Sequence, residues 1–115
     1  MDIAIDFDGT IVEHKFPAIG KEMDGAFDTM KDLQKAGFNI IIWTCRDDEY
    51  IDDIKEFFEE NDFEPDAINE NVDKTLDFAK KKIVADVYID DRNFGGFPGW
   101  DIVRDYYLSD NMFKD

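Results

Sequence analysis

Residues 3–14 read IAIDFDGTIVEH, and two readings compete for them. Apolar and polar residues nearly alternate on both sides of Asp8-Gly9, the pattern of two strands joined by a tight Asp-Gly turn. The same letters set two carboxylates, Asp6 and Asp8, at the end of an apolar run and directly before a glycine. One reading is an acidic hairpin. The other is a strand that delivers two acids to the edge of a sheet, with the turn serving the acids. The elements that follow separate the two.

Ile3-Ala4-Ile5 is the first strand under either reading. Met23, Phe27, Met30 and Leu33 then recur at helical spacing, with Gly37 as a stop. Residues 38–44, FNIIIWT, form an almost unbroken apolar run, as expected of a strand buried on both faces. Tyr50, Ile51, Ile54, Phe57 and Phe58 mark a second amphipathic helix. Residues 63–69 hold a weak strand ending near Ile68, with Pro65 arguing against a central position. Val72, Leu76 and Ala79 predict a third helix ending in Lys80-Lys81-Lys82. Residues 83–90 predict another strand. The loop 93–100, NFGGFPGW, leads to a last helix with Trp100, Val103, Tyr106 and Tyr107 on one side.

Strands alternating with amphipathic helices predict a three-layer, doubly wound (Rossmann-like) α/β fold: a mainly parallel sheet flanked by helices. The 115 residues fit a single domain over 1–115, and a 43% hydrophobic fraction is ample for its core. No apolar run approaches the ~20 residues that span a bilayer. Met1-Asp2 opens the chain without a basic segment, so no secretory signal is expected. One cysteine, Cys45, forbids an internal disulfide and suits a reducing cytoplasm. The formal charge of −16 repels nucleic-acid backbones and anionic membranes. An anionic substrate needs a metal or local cations to dock on such a chain.

Ligands of parallel α/β sheets bind outside the carboxyl ends of the strands. Here those ends carry Asp6 and Asp8, Thr44, and Asp90 and Asp91, with Lys82 entering the last strand. Four carboxylates in one crevice repel one another unless a cation is present. Oxygen donors with little imidazole or thiolate favour Mg²⁺ over zinc. A metal would let an anionic phosphate approach an anionic nucleophile. Thr44 and Lys82 would hold phosphoryl oxygens. Backbone N–H groups around Asp8-Gly9-Thr10 are candidates for an anion-binding nest, with Gly9 allowing close approach. Arg46 and Arg92 each follow a site segment and are candidates for clamping a distal anionic group, against ordinary surface pairing.

DFDGT (Asp6 to Thr10) resembles the first motif of the haloacid dehalogenase-like (HAD) phosphohydrolase superfamily. IIIWT ending at Thr44 resembles its second motif, Lys82 its third, and YIDD ending at Asp90-Asp91 its fourth. The resemblance implies that Asp6 is the nucleophile, forming an aspartyl-phosphate, and that Asp8 is the general acid and base. It implies a Mg²⁺ held by an Asp6 oxygen, the Asp8 main-chain carbonyl, and Asp91 or Asp90. Gly9, Thr10, Thr44 and Lys82 would surround the phosphoryl group, with Lys81 as the alternative to Lys82. Neither the segment after Thr10 nor the one after Thr44 has room for an inserted cap, so a small capless member is implied. An open site suits a large substrate or a cover from a neighbouring subunit, making a homo-oligomer one expectation. The charge favours a small phosphorylated molecule over nucleic acid.

Phosphoryl transfer to an alcohol, in place of hydrolysis, is an alternative of the same superfamily. A receiver-like phosphoacceptor switch shares the acids, Thr and Lys. In receivers, however, the lysine follows the acids, whereas Lys82 precedes Asp90-Asp91. Cys45 reads as a packed small residue without a histidine partner. His14 reads as a solvated loop residue. The 93–100 loop is a lid candidate by its position after Asp91.

Overall fold

In the computed structural model, residues 1–72 and 83–108 are described. Strand β1 (Asp2–Asp6) contains the run Ile3-Ala4-Ile5, all buried. It is flanked on one side by β2 (Asn39–Trp43) and on the other by β4 (Val87–Ile89). A short β3 (Ala67–Ile68) extends the sheet beyond β2, giving the order β3-β2-β1-β4 with every pair parallel. Among the described residues the helices are α1 (Ala26–Lys35), α2 (Asp48–Glu60) and α3 (Trp100–Leu108). This is the Rossmann-like α/β fold that the alternation of strands and helices predicts. The predicted helix at Val72–Ala79 and the Lys80–Lys82 cluster lie outside the described residues, apart from Val72 itself.

Alternate residues of the central strands serve two faces. Ile3, Ile5, Ile40 and Ile42 meet Phe27, Met30 and Leu33 of α1, Ile54 and Phe58 of α2, and Trp100 and Val103 of α3 in one cluster. Ala4 and Ile41 belong to a smaller cluster on the other face, with Ala67 and Ile83. Both are sealed from water, at 2% and 0% exposure, which explains why β1 and β2 read as unbroken apolar runs. Each fully buried Ile or Phe stabilises the fold by about 1.5–3 kcal/mol relative to exposure. Among the described residues, no helix is long and apolar enough to cross a membrane.

The chain steps from β1 to β2 to β3 in one direction, then returns to lay β4 on the far side of β1. The strand order therefore reverses between β1 and β4, the place where α/β sheets open a crevice for ligands. Register fixes what stands there. Asp6 pairs with Trp43, and Ile5 pairs with Ile89, so Asp90 is level with Asp6 and Thr44 lies one residue past Asp6's partner.

Two boundaries differ from the sequence expectation. Helix α1 begins at Ala26 and not at Met23, because the Met23 amide donates to the Ile11 carbonyl in another pairing. Strand β4 is confined to Val87–Ile89. Ahead of it, the amides of Val84 and Ala85 bond to the Asn71 and Tyr88 side chains, not to a neighbouring strand. Of the two readings of residues 3–14 the structure has the strand end, and the Asp8-Gly9 pair is not a two-residue hairpin turn. The Phe7 carbonyl accepts the amides of Thr10, Ile11 and Val12, which curls the chain out of the sheet. The antiparallel pairing forms further on, between Val12 and Glu22, with Glu13 N–H donating to Lys21 O at 2.8 Å. Residues 11–23 thus form a small flap above the strand ends.

Candidate active site

Asp6 ends β1, and Asp90 and Asp91 directly follow β4. Each of the three offers a carboxylate oxygen, and these oxygens all lie within 4.8 Å of one another. Asp6 is pushed from 3.8 up to about 7, first by burial, then by the charges of Asp90 and Asp91, a hydrogen bond with Asp91, and the charge of Asp8. Asp91 is also raised, first by burial and then by its hydrogen bond and repulsion with Asp90. The hydrogen bond between Asp6 and Asp91 and the raised pKa of both ease the repulsion among acids this close. The donor set is entirely carboxylate oxygen, which suits a hard divalent cation.

Gly9 is required here for two reasons. Its φ of +86° belongs to the left-handed region that a side chain disfavours, and a Cβ would stand 2.1 Å from Asp91 Oδ2. The close approach of Asp91 to the loop after β1 therefore depends on this glycine. Thr10, fully buried, places Oγ1 at 3.5 Å from Asp6 Oδ2, and its carbonyl accepts the Trp100 indole N–H at 2.9 Å. The first residue of α3 thus anchors the loop that carries the acids.

Asp8 is near enough for its charge to act on Asp6 but is not one of the three clustered acids. Arg46 grips it through a fork, with Nε to Oδ2 at 2.8 Å and Nη2 to Oδ1 at 2.7 Å. The guanidinium, raised further in pKa chiefly by its hydrogen bond to Asp8, also donates to Pro17 O at 3.0 Å and Ala18 O at 2.9 Å. It lies over the rings of Phe7 and Phe16, 5.3 and 5.0 Å from their centroids, and its side chain is only 1% exposed.

The Arg46 geometry corrects a sequence expectation. Arg46 does not present a free fork to a distal anion, because Asp8 and the flap carbonyls already take its donors. The amide nest expected at Asp8-Gly9-Thr10 is corrected too. Gly9 N–H donates to Val12 O at 2.8 Å and Thr10 N–H to Phe7 O at 3.3 Å, so these donors close the loop on itself. Cys45 is exposed and not packed, and His14 is exposed as the sequence predicts. Arg92 is exposed, its amide capping Asp90 Oδ1 at 2.9 Å. In the 93–100 loop, Phe97 turns inward against Trp100 at 5.4 Å while Phe94 is fully exposed. Lys82 and Lys81 lie outside the described residues.

Thr44 is buried at the end of β2, and Asn69 clamps it. Asn69 Oδ1 accepts Thr44 N–H at 2.8 Å, and Asn69 Nδ2 donates to Thr44 O at 3.0 Å. Thr44 Oγ1 also accepts the Arg46 amide at 3.1 Å, which ties the turn after β2 to the start of the arginine. Sequence reasoning missed Asn69. Its one signal was an asparagine closing a weak strand, the residue type that tolerates its observed φ of 53°.

A conserved protein coded by a locus of Bacteroides thetaiotaomicron has a solved structure similar to this one. The two chains share 41% identity over 92% of this chain and 88% of that one, with a TM-score of 0.85. This chain belongs to that protein's family. No family model and no curated protein matches the chain. What the family membership carries is the α/β fold.

Proposed function

We propose that the protein is a Mg²⁺-dependent phosphomonoester hydrolase of the small, capless HAD-like type. The observation that carries this reading is the meeting of Asp6, Asp90 and Asp91 at the β1/β4 reversal, with a fourth acid, Asp8, fixed beside them by Arg46. Asp6, Asp90 and Asp91 would hold the cation, which when bound supplies positive charge against the phosphoryl oxygens. The Asp8 main-chain carbonyl completes the ligands that the resemblance implies.

Asp6 attacks phosphorus through a carboxylate oxygen, and the bond from phosphorus to the ester oxygen breaks. Asp8 gives a proton to that departing oxygen. It then takes a proton from the water that attacks the aspartyl-phosphate, releasing phosphate and restoring Asp6. Thr44 and Lys82 steady the phosphoryl group, while Gly9 and Thr10 shape the loop that brings Asp91 against Asp6. Arg46 acts through Asp8, which is a change from direct phosphate binding. The charge of −16 supports a small phosphorylated substrate over nucleic acid, and the lone Cys45 supports a cytoplasmic setting.

The test is a panel of phosphate esters assayed with Mg²⁺ and with chelator, for the native protein and Asp6→Asn. Turnover should vanish with chelator and fall to background in Asp6→Asn. Chelator-insensitive turnover, or full activity in the variant, overturns the proposal. A phosphoryl donor that leaves one stable acyl phosphate without turnover replaces hydrolase with phosphoacceptor switch.

A further inference from the structure

Arg46 has two sets of partners that belong to different parts of the molecule. Nε and Nη2 hold the carboxylate of Asp8, on the loop just after β1. Nη1 and Nη2 hold the carbonyls of Pro17 and Ala18, at the far end of the flap. Guanidinium is planar and rigid, so its donors move together. A flap displacement that breaks the bonds to Pro17 and Ala18 removes half of what orients the fork on Asp8.

Phe16 ties this arrangement to the surface. Its ring lies against the guanidinium, makes an edge contact with Tyr50 at 5.1 Å, and is still 49% exposed. Tyr50 sits in the first turn of α2, so flap, arginine and helix meet at this one aromatic side chain. The flap has little else holding its tip. Its described backbone pairing lies at the base, Glu13 to Lys21 and Met23 to Ile11. Residues 14–18 are exposed, and they are held where Arg46 reaches them.

We propose that the flap is a positioning element for Asp8: seating Phe16, Pro17 and Ala18 on Arg46 aims the Asp8 carboxylate, and displacing them releases it. Phe16 is the positioning residue, acting through Arg46 and touching no reacting atom. The proposal rests on the phosphatase reading only for what Asp8 does once aimed. The coupling itself is a property of the fold and is reciprocal, so a change at Asp8 must loosen the flap as much as a change in the flap frees Asp8.

Two measurements test it. In amide hydrogen exchange, Asp8→Ala should speed exchange at Glu13 and Met23 by about tenfold while α2 and β2 amides stay as they were. Asp90→Asn, which removes an acid from the same crevice without touching Arg46, should leave the flap amides unchanged. Flap protection that survives Asp8→Ala, or that falls equally in Asp90→Asn, overturns the coupling whether or not the protein has phosphatase activity.

The second measurement compares phenyl phosphate with 4-nitrophenyl phosphate, whose leaving group needs little protonation. Phe16→Ala should lower kcat for the phenyl ester about tenfold more than for the nitrophenyl ester, since only the first depends strongly on an aimed acid. An equal fall for both, or none, overturns the positioning role. Failure of the native protein on every ester overturns the phosphatase reading and leaves the exchange result to judge the coupling.

Discussion

Among the described residues, Asp6 is the acid whose pKa is pushed furthest from that of a free carboxyl, and its stability consequence has a definite sign. Its folded pKa of about 7 exceeds the ordinary 3.8, so across that interval the native state keeps a proton that the unfolded chain has released. The stabilisation is complete below about pH 4 and is lost as pH rises through 7. Because the side chain is partly open to water, the effect is discounted to about 1–2 kcal/mol. Urea midpoints in chelator should fall between pH 5 and pH 8 for the native protein and fall less for Asp6→Asn, in which only the raised Asp91 remains. A divalent cation at pH 8 should restore the native midpoint, since it replaces the lost proton among the same oxygens. The acids themselves were legible in the sequence because they follow apolar runs at strand ends. The role of Arg46 was not. Its partners, Asp8 and the Pro17 and Ala18 carbonyls, stand 38, 29 and 28 residues away, and only the folded chain brings them together.

At the scale of elements, α3 and β3 hold the site from outside it. The indole N–H of Trp100 crosses to the buried Thr10 carbonyl, joining the start of α3 to the loop of the acids. Trp100→Phe keeps most of the apolar contact and leaves that carbonyl without its donor, at a cost of about 1–3 kcal/mol measured by denaturant unfolding. A loss well below that range would mean that water takes over the indole's place. The type and order of β1, α1, β2, α2 and α3 could be read from periodicity, because each buries one stripe or both faces. Strand limits could not. The shortness of β4 follows from the Asn71 and Tyr88 side chains taking the Val84 and Ala85 amides, and the late start of α1 follows from Met23 pairing with Ile11. Local pattern does not reveal which backbone groups are already engaged elsewhere.

For the whole molecule, charge and topology act at different ranges. A chain carrying −16 repels itself in the compact state, and dissolved salt screens that repulsion beyond about 10 Å at 0.1 M. The thermal midpoint should therefore rise as sodium chloride increases from low ionic strength to a few hundred millimolar, in chelator so that no divalent cation contributes. A midpoint that falls with salt would show that local ion pairs such as Arg46–Asp8 and Arg104–Asp32 outweigh the global repulsion. The sequence by itself determined the fold class, the parallel sheet and the placing of Asp6, Thr44 and Asp90-Asp91 at strand ends. Burial on both faces and helical spacing are written locally in residue type. Tertiary structure alone decided how the loop after Phe7 curls back on the Phe7 carbonyl and that the flap pairs at Val12 and Glu22. It also decided that Asp91 closes on Gly9, that Asn69 clamps Thr44, and that Arg46 joins Asp8 to the flap. Those contacts depend on strand order and register, which set distances between residues far apart in the chain and leave no mark in any single segment.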